Sequence, residues 1–390
     1  MILTSEQKDI IRTSFAKMQT KEDFTNLLNH AKAILYPPKS DKEHKPIRLK
    51  SISFYADYRL SSNKRYRHFT VKKKNGKERQ IASPASGLKL IQRCLNLIFG
   101  AIYEPKSYVT GFVNEKSIVD NANIHVGKRY VFNIDLQDFF PSIAVYRIKA
   151  VLGIEPFNLI NDKEPLAFII ANLCCIENPQ NKAVLPQGAP TSPILSNIVS
   201  QKLDRRLNGL AKKFGCKYSR YADDITFSAD IDVFNLEFKA EMRRIVEDQG
   251  FRINEAKVRF QSTAYRQEVT GLTVNEKVNV SKGYVRSIRA MLNNWEKLGY
   301  AQAEERFLLH YGIDKGHSKK NQPSFKNVLW GKIQFLRMVK GSEDAILVKY
   351  QLKFNALAEL PQEDALAKLE KLLSIWETEG IDKASQNGKD

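Results

Sequence analysis

Hydrophobic positions repeat along this chain with two periods, and the switches between them mark out the elements. Residues 1–50 carry helical spacing and then turn polar and basic in PPKSDKEHKP, which reads as an N-terminal helical extension ending in a linker. FTVKKKNGKERQI alternates on either side of Asn75-Gly76 and predicts a β-hairpin. LKLIQRCLNLIF, 88–99, is an apolar helix. RYVFNIDL, 129–136, predicts a strand with Phe132, Ile134 and Leu136 on one face and Val131, Asn133 and Asp135 on the other. After Pro193 one helix is expected through ILSNIVSQKLDRRLNGL. CKYSRYADDITFSAD reads as two short strands joined at Ala222-Asp223-Asp224. NLEFKAEMRRIVEDQ is a helix stopped by Gly250, and short strands are expected around FRINEAKVRF and QEVTGLTVNEKVNV. From 285 to about 357 the pattern is helical, and the tail holds an amphipathic stretch through Leu366, Leu369, Leu372 and Trp376. Strands and helices in this order imply an α+β domain, an antiparallel sheet with helices packed on one face. The expected divisions are 1–50, 51–280, 281–357 and 358–390.

Composition adds a partner class. The chain has 390 residues, 43% hydrophobic, enough for a core and for two or three subdomains. Its 62 basic and 43 acidic residues leave a net charge of +19, which favours a polyanionic partner. Nucleic acid is the better choice over membrane: no 18-residue apolar run exists, and the first residues carry charges without a signal-peptide core. Cys94, Cys174, Cys175 and Cys216 form no metal-binding pattern; Cys174 and Cys175, adjacent in an apolar run, read as reduced core residues, and the expected compartment is a cytoplasm. The charge is also placed. Positions 59–79 hold nine Lys/Arg and one acid, with Tyr66, His68 and Phe69 between them, a composition suited to phosphate contact. Positions 281–355 hold 14 basic and 6 acidic residues.

Candidate chemistry lies in the carboxylates. Asp135 ends an apolar strand, and Asp223-Asp224 sit at a hairpin tip. If those strands are neighbours, three carboxylates crowd together and repel. Magnesium relieves that repulsion, being a hard cation that takes carboxylates together with substrate phosphate. Two such ions about 3.5–4 Å apart can clamp both oxygens of an in-line phosphoryl transfer.

The same segments, in this order, resemble the motifs of reverse transcriptases. NIDLQDFFPSI resembles their first catalytic motif, LPQGAPTSPILSN their second, and YADD at 221–224 their Tyr-x-Asp-Asp signature. GFRINEAKVRF resembles the fourth, with Lys257 in its lysine position. The resemblance implies a right-hand polymerase of fingers, palm and helical thumb. It implies that Asp135 and Asp223 hold both metals with Asp224 auxiliary, and that the backbone near Leu136 adds a carbonyl. Phe140 takes the place of the aromatic beneath the incoming sugar, where a ring excludes a 2′-OH and selects deoxynucleotides. Gln187 and Gly188 lie near the templating base. Lys73 and Arg79 match the triphosphate-binding residues of the fingers, and Lys257 serves the leaving pyrophosphate.

Two further elements resemble those of retron reverse transcriptases: NANIH, with Asn121 and His125, and VTG, with Val269, Thr270 and Gly271. The resemblance implies contact with a structured non-coding RNA through these residues and through Lys319, Lys320 and Lys326 of the thumb. It implies synthesis from the 2′-OH of an internal guanosine in that RNA, giving branched multicopy single-stranded DNA from dNTPs. It implies a role in anti-phage defence with a separate effector protein, and trimming of the template by a host RNase H. The nearest rival is a defence-associated reverse transcriptase outside the retrons. An intron maturase, an RNA-dependent RNA polymerase and a catalytically dead RNA-binding module are more distant rivals, the last disfavoured by the intact Asp135, Asp223 and Asp224.

Overall fold

A computed structural model describes residues 3–37, 45–57, 62–72, 76, 78–178, 180, 182–315 and 323–359. Lys73, Lys319, Lys320 and the amphipathic stretch beyond 359 lie outside them. The chain divides into two compact units, 1–71 with 78–265 and 72–77 with 266–390.

The first unit begins with α1 (Ser5–Lys17) and α2 (Lys21–Leu35), each opened by a reciprocal cap: Thr4 with Gln7, and Thr20 with Asp23. Their apolar stripes, Ile11 and Phe15 on one and Phe24, Leu27 and Leu28 on the other, are buried, and both helices pack on α5 (Ser86–Ile102) within one continuous core. Between them come α3 (Leu49–Ala56), the short α4 (Ser62–Arg65) and a two-stranded ribbon, β1 (Tyr66–Lys72) and β2 (Glu78–Pro84). Gly76, in the turn of that ribbon, has φ 76°, a left-handed conformation that a side chain would strain. After α5 the chain forms α6 (Ile118–Asn123), β3 (Tyr130–Asp135), α7 (Val145–Leu152) and α8 (Glu164–Cys174). A small pair, β4 (Ile176–Glu177) and β5 (Ala183–Val184), follows.

Where one helix is expected after Pro193, the chain makes two, α9 (Ser192–Val199) and α10 (Gln201–Lys213), divided at Ser200, whose ψ has opened to 0°. Then come β6 (Lys217–Tyr221), β7 (Asp224–Ala229), α11 (Leu236–Asp248) and β8 (Arg259–Ser262). The fourth strand falls later than FRINEAKVRF suggests. Residues before it make one bridge, Leu136 to Ile253, and then a 3-10 turn, because Asn254 is drawn to Asp135.

The main sheet is antiparallel, in the order β6-β7-β3-β8. Phe132 and Phe227 stand on the face that meets α11, where both rings meet Phe238 edge-on. Tyr218, on the same face, reaches Asp204 of α10. Val131, Asn133 and Asp135 point to the other face and are buried as well, and the segment following α6 lies against that face through His125.

The second unit holds β9 (Glu268–Val269) paired with β10 (Leu272–Thr273), and then α12 (Lys282–Lys315), α13 (Phe325–Lys340) and α14 (Ala345–Glu359) packed on one another. Gly299, at φ 80° and ψ 165°, kinks α12. Trp295, Phe325 and Phe354 meet edge to face in the centre of this bundle. No described helix is long and apolar enough to cross a membrane.

Candidate active site

Register brings the carboxylates together. Asp135, last residue of β3, is the cross-strand partner of Asp224, first residue of β7. The N–H of Leu136 donates to the carbonyl of Asp223 at 3.0 Å, so the end of β3 is tied to the hairpin turn itself. Ala222 makes that turn with φ 59°, a conformation uncommon outside glycine. From the other side the N–H of Asn254 donates to the Asp135 carbonyl at 2.8 Å. The turn that follows delivers Lys257, whose Nζ lies 2.7 Å from Asp135 Oδ2.

Electrostatics follow from this crowding. Asp135 is 5% exposed. Burial first, and then the charge of Asp135, hold the Asp223 carboxyl above the usual range, with Lys257 and Arg79 pulling the other way. Asp224 still meets solvent, yet the protein packed around its carboxyl, followed by the charges of Asp223 and Asp135, pushes it up to about 7. One ammonium therefore does not balance three carboxylates. Among the described residues no group of three His, Cys, Asp or Glu side chains converges, as placed, tightly enough to enclose an ion. The donor set nevertheless fits a hard divalent cation: all oxygen, excess negative charge, and two carboxyls held partly towards protonation by burial and by their neighbours.

Of the expected nucleotide residues, Arg79, Gln187 and Phe140 are among those described. Arg79 is exposed on β2 and close enough to Asp223 to stabilise its charged form. The Gln187 carbonyl accepts from the N–H of Ala82, also on β2, at 2.8 Å. Gly188 follows at φ 121°, and a Cβ there would sit 2.8 Å from the Ala82 carbonyl oxygen. Its glycine is thus required twice, by conformation and by the close approach of β2. Phe140 is half-buried in the turn after β3, its ring 5.6 Å from that of Phe139 and 5.9 Å from that of Phe112.

The RNA-facing residues divide. Asn121 and His125, expected at the RNA, are completely buried. Asn121 accepts from the Thr110 hydroxyl at 2.8 Å. The His125 ring bridges Ser228 at 2.7 Å and Ser219 at 2.8 Å, stitching β6 to β7. Neither side chain reaches a surface that RNA could touch: His125 holds the sheet and Asn121 holds the loop at Thr110. Val269, Thr270 and Gly271 form the tight turn between β9 and β10, with Val269 buried and positive φ at Thr270 and Gly271. Lys326 is exposed on the first turn of α13.

Reasoning from motifs missed the group beneath the turn. Arg220 is 0% exposed and grips Asp204 of α10 through Nε at 2.6 Å and Nη2 at 2.7 Å. Its Nη1 donates to the Ala222 carbonyl at 3.0 Å and to Asn197 Oδ1 at 3.1 Å. Asn197 in turn donates to the carbonyl of Gly111 at 2.9 Å. A signal was present. Strand alternation puts Arg220 on the same face as Tyr218, against α10, and a buried arginine demands an acid there.

Residues 71–280 match the family described as reverse transcriptase (RNA-dependent DNA polymerase). The chain is 38% identical over 246 residues to the retron Mx65 reverse transcriptase of Myxococcus xanthus, a match covering 59% of this chain and 56% of that one. It is 33% identical over 251 residues to the retron Ec86 reverse transcriptase of Escherichia coli, covering 63% and 73%. Among solved structures, a Candida albicans telomerase in complex with a fragment of telomeric RNA aligns with TM-score 0.46 and 11% identity over 94% of this chain and 79% of that one, too slight a likeness to argue from.

Proposed function

Because this chain belongs to the retron-type reverse transcriptases, we propose that it copies part of a structured non-coding RNA into DNA from the 2′-OH of an internal guanosine. The product is branched multicopy single-stranded DNA. The observation that carries this reading is the in-register pairing of Asp135 with Asp224, with the Asp223 carbonyl tied to Leu136 and Lys257 on the Asp135 carboxylate.

The parts then divide the work. Asp135, Asp223 and Asp224 would hold two magnesium ions, which would supply Lewis-acid chemistry for the phosphoryl transfer. Arg79, with Lys73, receives the triphosphate of the dNTP, a task for which a guanidinium fork is suited. Lys257 carries a positive charge towards the departing pyrophosphate. Phe140 lies beneath the sugar and excludes a 2′-OH. The turn at Gln187-Gly188 supports the templating base. The basic helices after 280, with Lys319, Lys320 and Lys326, take the RNA backbone. A separate effector protein acts with it in anti-phage defence, and a host RNase H trims the template.

The test is to purify the full chain from cells that carry its neighbouring genomic sequence and to sequence the nucleic acid bound to it. The expected result is DNA joined to RNA through a guanosine 2′-OH. Unbranched DNA, primed elsewhere, would instead assign the chain to a defence-associated reverse transcriptase outside the retrons.

A further inference from the structure

Phe112 is a large apolar side chain left 41% exposed, on a backbone with φ 59°. Either property alone is ordinary. Together they describe a bulky residue held in a rarely populated conformation with its ring turned to solvent, a combination that collects at ligand sites. The restraint on it is unusually complete. Thr110 donates from its N–H to the Arg220 carbonyl at 3.0 Å, and the N–H of Arg220 donates back to the Tyr108 carbonyl at 2.9 Å. Asn197 holds the Gly111 carbonyl at 2.9 Å. A Cβ on Gly111 would stand 2.3 Å from the backbone nitrogen of Ala222, so no other residue fits between this loop and the catalytic turn. The loop therefore moves with the Asp223 turn and presents the Phe112 ring to one neighbouring ring, that of Phe140, at 5.9 Å and 34°.

Phe140 has a second ring contact, Phe139, at 5.6 Å. Phe139 is buried and stands on the core side. Phe112 supplies the solvent side. A gate that excludes a 2′-OH works by not yielding, so a half-buried ring braced on one side alone would tilt away from a ribose. We propose that Phe112 is a positioning residue for sugar selection: it braces Phe140 from the solvent side and makes the pair a rigid wall against ribonucleoside triphosphates. This rests on the reading that Phe140 lies beneath the incoming sugar.

The experiment measures kcat/KM for dGTP and for GTP on poly(rC) primed with oligo(dG), using the full chain. The variants are Phe112→Ala, Phe112→Tyr, Phe140→Ala and the double Phe112→Ala/Phe140→Ala. Phe112→Ala should raise the GTP-to-dGTP ratio by about tenfold or more, the scale of a lost packing contact in discrimination. Phe112→Tyr, which keeps the brace, should discriminate as the wild type does. The double variant should be no more permissive than Phe140→Ala, because Phe112 acts through that ring. A ratio unchanged in Phe112→Ala but raised in Phe140→Ala overturns the brace and leaves the sugar gate standing. Ratios unchanged in both overturn the gate itself. Equal losses for both nucleotides in Phe112→Ala, or additive relaxation in the double variant, also overturn the brace.

Discussion

Arg220 and Asp204 form a two-pronged ion pair that water does not reach, and the third nitrogen of the same guanidinium holds the carbonyl of Ala222, one residue before Asp223. One arginine thus does two jobs. It neutralises a buried acid on α10, and it fixes the backbone of the turn that carries Asp223.

The two jobs separate by mutation. Arg220→Ala strands the Asp204 charge, and breaking a buried pair in this way costs about 3–5 kcal/mol. Replacing both, as Arg220→Met with Asp204→Leu, removes the stranded charge and should recover most of that loss in a denaturant titration. It does not restore the hydrogen bond to Ala222. Primer extension per folded molecule should therefore stay low, about tenfold or more below wild type by the rule that small misplacements of reacting groups are costly. Recovery of extension along with stability would reduce Arg220 to a packing residue.

Removing the carboxylates tests the chemistry directly. Asp223→Ala with Asp224→Ala should abolish deoxynucleotide incorporation while RNA binding persists, since loss of negative charge eases the approach of a polyanion. The measurement pairs single-nucleotide extension with a filter-binding titration. Extension at the wild-type rate would exclude both residues from catalysis.

Gly188→Ala probes the contact between the second motif and the fingers ribbon. The added Cβ meets the Ala82 carbonyl at 2.8 Å, in a backbone conformation that L-residues avoid. The turn and β2 must separate, and with them the base and triphosphate subsites proposed above. A destabilisation of about 1–3 kcal/mol is expected from the strain. KM for dNTP should rise more than the affinity for template-primer falls. A KM equal to that of the wild type would show that β2 carries no nucleotide contact.

His125 gives a pH signature. Burial pushes the imidazole, held between two serine hydroxyls, down to about 3. The folded chain keeps it neutral, whereas the unfolded chain protonates it near pH 6.5. Its contribution to stability is thus whole above pH 6.5 and is lost as the pH falls from there towards 3, at up to about 1.4 kcal/mol per pH unit. Unfolding midpoints between pH 7 and pH 4 should fall less steeply in His125→Gln than in the wild type, other groups being common to both. Parallel slopes would mean that the ring titrates normally in the fold.

Much of this was legible beforehand, and what was hidden has a common cause. The strand ending at Asp135 and the hairpin at Ala222 are local patterns, a run of alternating residues and a turn between two short strands, and they stand where the sequence puts them. Asn121 and His125 stood out as an element, but a motif names residues without saying which way they point. Both point inward, His125 to Ser219 and Ser228 of the sheet and Asn121 to Thr110. The break at Ser200 leaves no trace of glycine or proline to read. Arg220 was readable as a strand residue, whereas its acid lies sixteen positions earlier on another element, visible only once α10 is laid across β6. Lys257 was matched by motif alone; the 3-10 turn that carries it to Asp135 is a tertiary effect, imposed by Asn254.

The salt bridge from Lys257 to Asp135 spans 122 positions of sequence. A chain emerging from the ribosome has its first aspartate long before the hairpin and the lysine exist. Closing so wide a loop is slow compared with local folding, and no fragment short of Lys257 contains the whole constellation. Synthesis therefore separates birth of the polypeptide from onset of its chemistry. By the same reasoning, two inert pieces cut in the exposed loop after Ala229, at 230–232, should regain activity only on reassociation.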